Sequence, residues 1–192
     1  MEDLKELSDL LQTRNRTEKD VNQLIERPVT TGILGEYIAG EIFDIKLADS
    51  GSNQGKDGDF TGGRFRGSNL EGKGVNVKWY TSKYNYIVMD SKCCNRPDYF
   101  LVLRGGTDNK PKVEGQFFPL HIETVHLFPA EELVKELEGK VKIGPLPGRS
   151  TSVKSEYWDK YKIYSAERSY HCDPVGNREY ELLNLFSLKQ IT

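Results

Sequence analysis

The polar residues whose types and spacing can do chemistry are Glu36, Asp57, Asp59, Asn76 and Lys78. Gly74–Tyr80 alternates as a strand does, which turns Val75, Val77 and Trp79 to one face and Asn76, Lys78 and Tyr80 to the other. A carboxamide and a lysine side by side, next to a strand bearing Asp57 and Asp59, form a polar cluster on one side of a sheet. Such a cluster can hold a divalent cation, because hard cations take oxygen ligands. Glu36 adds to it. In a helix read from Thr31 to Ile45, Leu34, Ile38, Ile42 and Ile45 make the core stripe, and Glu36, Ala39, Gly40 and Phe43 fall on a second face too small and apolar to be freely solvated. A carboxylate there needs a cation, a metal or a proton to be tolerated. A plain Glu36–Lys78 ion pair meets the same requirement without a metal, so both readings stand on these residues alone.

The elements that position these groups follow from periodicity. Residues 1–27 read as two helices, with a Leu4/Leu7/Leu10/Leu11 stripe, a Val21/Leu24/Ile25 stripe, and Thr17 and Asp20 spaced as a capping box. They form an appendage over residues 1–28, ending at Pro28, ahead of a domain over 29–192. After the Gly-rich loop Asp49–Gly58 the period changes from helical to two. Strands are expected at Asp57–Thr61, near Arg64–Arg66, at Gly74–Tyr80, Tyr86–Met89, Tyr99–Leu103, Phe117–Ile122, Val125–Phe128 and Tyr157–Tyr164. Pro129–Leu137 reads as a helix, with Pro at its start, acids in its first turn and Gly139 beyond its end; Asn177–Phe186 reads as a last helix.

Gly35-Glu36 on a helix, Lys56-Asp57-Gly58 after a Gly-rich loop, and Val75-Asn76-Val77-Lys78 on the next strand resemble the active-site signature of the PD-(D/E)XK, or restriction-endonuclease-like, nuclease superfamily. The resemblance covers about residues 32–104, with vaguer similarity through Leu127–Leu137. It implies an α/β fold with a central mixed sheet flanked by helices. It also implies Mg²⁺, with Mn²⁺ able to substitute, as cofactor and DNA as substrate. Two strands to cut make a homodimer plausible. By position, Glu36 is the helical acid, Asp57 the main metal ligand and Lys78 the lysine that orients the attacking water. The chain departs from the pattern at Asn76, where the motif has an acid; some members carry Gln there and remain active. An amide offers an oxygen but no charge, and Asp59 is the carboxylate placed to restore it. The reading from another class is a nucleic-acid-binding or interaction module that keeps the fold without catalysis.

Two stretches are locally basic, which suits either a polyanion-binding surface or solvated loops and edges. Lys and Arg number 27 against 29 Asp and Glu over 192 residues. Yet residues 51–84 carry six basic residues against three acids, and residues 139–170 seven against three. Lys56, Arg64, Arg66 and Lys83 are the cations expected to meet nucleic acid; Tyr80, Tyr84 and Tyr86 beside Lys83 read chiefly as core. The composition, 36% hydrophobic and 29% charged, excludes disordered and collagen-like classes. No run of 18 apolar residues exists, and the acidic N-terminus has neither the basic nor the apolar region of a signal peptide. A cytoplasmic protein is expected. Cys93, Cys94 and Cys172 make no disulfide framework, and with His171 they match no zinc-site spacing. His121 and His126, in an apolar stretch, read as half-buried packing residues.

Overall fold

The computed structural model describes residues 2–49, 55–61, 63, 65–81, 85–88, 97–105, 120–137 and 150–187. In chain order the elements are α1 (Glu2–Ile25), α2 (Thr31–Phe43), β1 (Ile45–Leu47), β2 (Gly58–Phe60), β3 (Gly74–Tyr80), β4 (Tyr86–Val88) and β5 (Tyr99–Arg104). Then come β6 (Thr124–Pro129), α3 (Ala130–Leu137), β7 (Ser150–Ser152), α4 (Ser155–Lys160), β8 (Lys162–Ser165), β9 (Tyr170–His171) and α5 (Asn177–Asn184). Seven strands build one sheet in the order β1-β2-β3-β5-β6-β8-β9, and β4 pairs with β7 apart from it. Within the large sheet β3 and β5 run parallel and their neighbours antiparallel. The molecule is therefore an α/β protein with a mixed seven-stranded sheet. Among the described residues, no helix is long and apolar enough to cross a membrane.

Alternation along β3 sets the two layers. Val75, Val77 and Trp79 share a cluster with Leu101, Leu103, Val125 and Leu127 of the neighbouring strands, covered by Ala39, Ile42 and Phe43 of α2 and Leu183 of α5. The other face carries Phe100, Val102 and Phe128, packed with Leu133 of α3, Trp158 of α4 and Ile87 of β4. Each such side chain, fully withdrawn from water, contributes roughly 2 kcal/mol. The central strand β5 is buried on both faces, as its unbroken apolar run predicts.

Helix α2 starts where expected, with Thr30 Oγ1 accepting from Ile33 N–H at 3.3 Å, but it stops at Phe43. Asp44 takes a left-handed conformation, φ 49°, and ends it, so Ile45 enters the core from β1 instead of from the helix. The deepest helical positions are Gly35, Ala39, Ile42 and Phe43, one step round from the expected stripe, while Leu34 and Ile38 are half-buried. The cause is Gly35: a Cβ there would stand 2.9 Å from the Trp79 Cβ, so the helix rests directly on β3.

Other differences have local reasons. The N-terminal segment is one helix, because Thr17 Oγ1 and Thr13 Oγ1 donate to the carbonyls of Thr13 and Asp9 inside it, both at 3.0 Å, instead of capping a new start. Tyr157–Tyr164 is split: Tyr157, Trp158 and Tyr161 follow a helical spacing that buries Trp158, and the strand begins only at Lys162. Phe65 and Arg66 lie in turns, not a strand, and Leu120–Ile122 has no strand geometry; Arg64 and 117–119 lie outside the described residues. Tyr80 packs edge-on against Tyr86 at 5.3 Å.

His121 and His126 are fully buried, deeper than expected. His126 Nδ1–H donates to the Trp158 carbonyl at 2.9 Å, and its Nε2 lies 3.0 Å from Thr124 Oγ1. Burial, reinforced by Arg104, pushes the imidazole down to about 3. The unfolded chain thus takes up this proton first, so the stability is full above about pH 6.5 and is lost as pH falls toward the depressed value. Thermal melts should show a decline of up to about 1.4 kcal/mol per pH unit below pH 6.5. His126→Gln should flatten that slope, and an unchanged slope would exclude His126 as its source.

Candidate active site

Asp57 is the most firmly held member of the cluster. Its N–H donates to Val75 O at 2.9 Å and its carbonyl accepts from Ala48 N–H at 2.8 Å, so backbone is bonded on both sides just before β2. Its carboxylate Oδ2 accepts from Val77 N–H at 2.7 Å, filling a place on β3 that β2 leaves open. Gly58 follows because nothing larger fits: a Cβ there would lie 2.5 Å from Lys46 O of β1. Gly58 pairs with Val75, and the Asp57 N–H bonds to the same residue's carbonyl, so the two residues share one partner on β3.

Asn76 is 4% exposed and stands in register with Phe100, on the apolar side of the sheet opposite α2. Among the described residues its buried Oδ1 has no hydrogen-bond partner. An acceptor left this way costs about 1–3 kcal/mol unless something occupies it.

Glu36 reaches the cluster from α2. Burial raises its carboxyl above the ordinary value of 4.5, and the charge of Asp57 raises it further, while Arg27 and Lys78 pull it back. Burial also raises Asp57 above 3.8, against Lys78 and the Val77 N–H. Glu36, Asp57 and Lys78 therefore lie within electrostatic reach of one another, the grouping expected from the sequence. The Glu36–Lys78 ion pair considered there is not what holds Glu36: its partner is Arg27, with Nη1 3.6 Å from Oε2.

Sequence reasoning missed Arg27. It sits in the turn between α1 and α2, outside any periodic pattern, and reaches the site because Glu26 adopts φ 53° and redirects the chain. Its Nη2 lies 3.5 Å from Ala48 O, beside the backbone that carries Asp57.

Asp59 is engaged elsewhere, its Oδ1 2.5 Å from Lys56 Nζ. Lys56 is thereby paired, and Arg66 is exposed; Arg64 and Lys83 lie outside the described residues. Among the described residues no three His, Cys, Asp or Glu side chains form a metal-binding group. The oxygen set available is two carboxylates and an amide, from Glu36, Asp57 and Asn76. Oxygen donors of this kind suit a hard divalent cation, which would relieve the cost of ionising two desolvated carboxyls.

These two raised values have a definite sign. The folded state binds protons more tightly than the unfolded chain, so the metal-free protein is most stable below about pH 4 in this respect and loses stability as pH rises through the raised values. Cation binding needs both carboxylates ionised and should strengthen over the same range. Titration of Mg²⁺ from pH 5 to 8 should show affinity rising with pH, and Glu36→Gln should weaken binding and reduce the slope. A pH-independent affinity would remove Glu36 from the ligand set.

No family model and no curated protein matches this chain.

Proposed function

We propose that the protein is a metal-dependent nuclease of the restriction-endonuclease-like type, hydrolysing phosphodiester bonds in DNA. The observation that carries the reading is the grouping of Glu36, Asp57 and Lys78 within electrostatic reach of one another. Glu36, Asp57 and Asn76 would hold Mg²⁺ or Mn²⁺. When bound, the cation supplies Lewis-acid polarisation of the scissile phosphate and favours ionisation of the attacking water. Asp57, locked at backbone and carboxylate, gives the site a fixed geometry before substrate arrives. The Lys78 ammonium orients the nucleophile and offsets the negative charge that develops on the phosphate. Arg27 offsets part of the cost of ionising Glu36. Arg66, with Arg64, Lys83 and Lys56, supplies the sequence-independent attraction for the DNA backbone. Asp59, held by Lys56, can add charge to the site only by leaving that ion pair.

The second reading is a DNA-binding module without catalysis. It draws on one observation: two carboxylates, Glu36 and Asp57, face two cations, Arg27 and Lys78, so the cluster is balanced without a metal.

Incubating plasmid and phage DNA with the protein in Mg²⁺, Mn²⁺ or EDTA separates the two. The nuclease reading expects cleavage in either metal and none in EDTA, declining with salt as the backbone contacts weaken. Intact DNA in both metals, together with no calorimetric metal binding even when duplex is present, would sink it.

A further inference from the structure

Helix α1 is 24 residues long, and residues 6–20 are exposed along its whole circumference. In proteins most helical stability comes from packing an amphipathic face and not from propensity. An apolar stripe is present and uncovered: Leu7, Leu10 and Leu24 are 51%, 61% and 73% exposed. Together with Arg14, Thr17 and Val21 they fall at alternating steps of three and four residues, the spacing of a two-helix seam. Four of these positions, Leu10, Arg14, Thr17 and Val21, also edge an open apolar groove whose far wall is Val29, Leu34 and Leu120. The seam therefore borders an open apolar groove and not the packed core.

The geometry points to a second copy of this chain as the occupant, with the two α1 helices packed antiparallel about a two-fold axis. The seam is self-complementary in that direction only. Antiparallel pairing puts Leu7 on the partner's Leu24, Leu10 on the partner's Val21 and Arg14 on the partner's Thr17. Parallel pairing would stack Arg14 on its own copy. Charge agrees: residues 6–12 hold Glu6 and Asp9, a net of −2, while residues 13–25 hold Arg14, Arg16 and Lys19 against Glu18 and Asp20, a net of +1. Antiparallel packing sets the acidic half against the basic half, whereas parallel packing sets acid on acid. This assembly does not depend on any chemistry at Asp57.

Sedimentation equilibrium of the full chain at micromolar concentration tests it, and a dimer is expected. Leu7→Lys and Leu24→Glu should each raise the dissociation constant at least about tenfold, because each buries an unpaired charge in the seam. The double variant Leu7→Lys/Leu24→Glu should recover most of that loss, since antiparallel pairing sets each new ammonium against a new carboxylate. Leu185→Glu, at a leucine 61% exposed elsewhere, should leave the dimer unchanged. All these positions are exposed in the single chain, so folding should survive, and circular dichroism checks it. A monomer at tens of micromolar, a dimer unmoved by either single change, or a double variant weaker than both singles would overturn the proposal.

Discussion

Asp57→Asn should lower Mg²⁺-dependent DNA cleavage by about a thousandfold while leaving the fold intact. Asparagine has the same shape, its Oδ1 can still accept the Val77 N–H, and the two backbone hydrogen bonds on either side of the residue do not involve the side chain. What is lost is the charge. Because burial already makes ionised Asp57 costly, the neutral variant should be slightly more stable than the natural protein at pH 7 without metal. Lys78→Met makes a useful contrast. It removes a cation that opposes metal binding electrostatically, so Mg²⁺ affinity should hold or tighten while cleavage falls by a similar factor. Single-turnover cleavage and calorimetry on the two variants separate a ligand from a group that acts on the water and phosphate. Full activity in either would take that residue out of the site.

Asn76→Asp is the second large expectation. The change is isosteric, but it places a carboxylate on a residue 4% exposed, where ionisation is costly. Without metal the variant should lose on the order of 2–4 kcal/mol at neutral pH, a drop of roughly 5–15 °C in melting temperature for a chain of this size. Saturating Mg²⁺ should restore much of that loss, giving a metal-dependent shift larger than in the natural protein. Turnover should stay similar or fall, since tighter ground-state binding does not help the transition state. Melting curves in Mg²⁺, Mn²⁺ and EDTA report all of this. If neither the natural protein nor the variant responds to metal, the binding-module reading replaces the nuclease.

The grouping of Glu36, Asp57 and Lys78 was legible because it depends on two periodicities. Strand alternation fixes the side of the sheet for Asn76 and Lys78, and Asp57 was singled out through the resemblance, in which a Gly such as Gly58 follows the motif Asp. Helical periodicity placed Glu36 at a partly buried position but misjudged the contact stripe, because the close approach is made by the absent side chain of Gly35. The short strands β1, β7 and β9 were not legible; two or three residues carry no measurable period. Helix α4 was hidden by aromatic residues that suit strands as well as helices. Arg27 left no trace at all, since a turn residue owes its position to one backbone reversal at Glu26 and not to any repeat. The ion pair of Asp59 with Lys56 is likewise a matter of side-chain reach, which spacing does not encode.

The direct seating of α2 on Trp79 through Gly35 makes the helix a caliper. Glu36 is the next residue, so the thickness of that single contact sets how far the helical carboxylate stands from the strand that bears Asn76. Ionic radius is what such a gap discriminates: Mg²⁺ binds oxygens at about 2.0–2.1 Å, whereas Ca²⁺ prefers about 2.3–2.6 Å. One methyl group at Gly35 must push the helix outward, given the 2.9 Å a Cβ would have to Trp79. Gly35→Ala should therefore move the balance of binding from Mg²⁺ toward the larger ion, measurable by competition between the two. If the site takes a metal as proposed, a residue with no side chain and no charge sets its preference between the two ions.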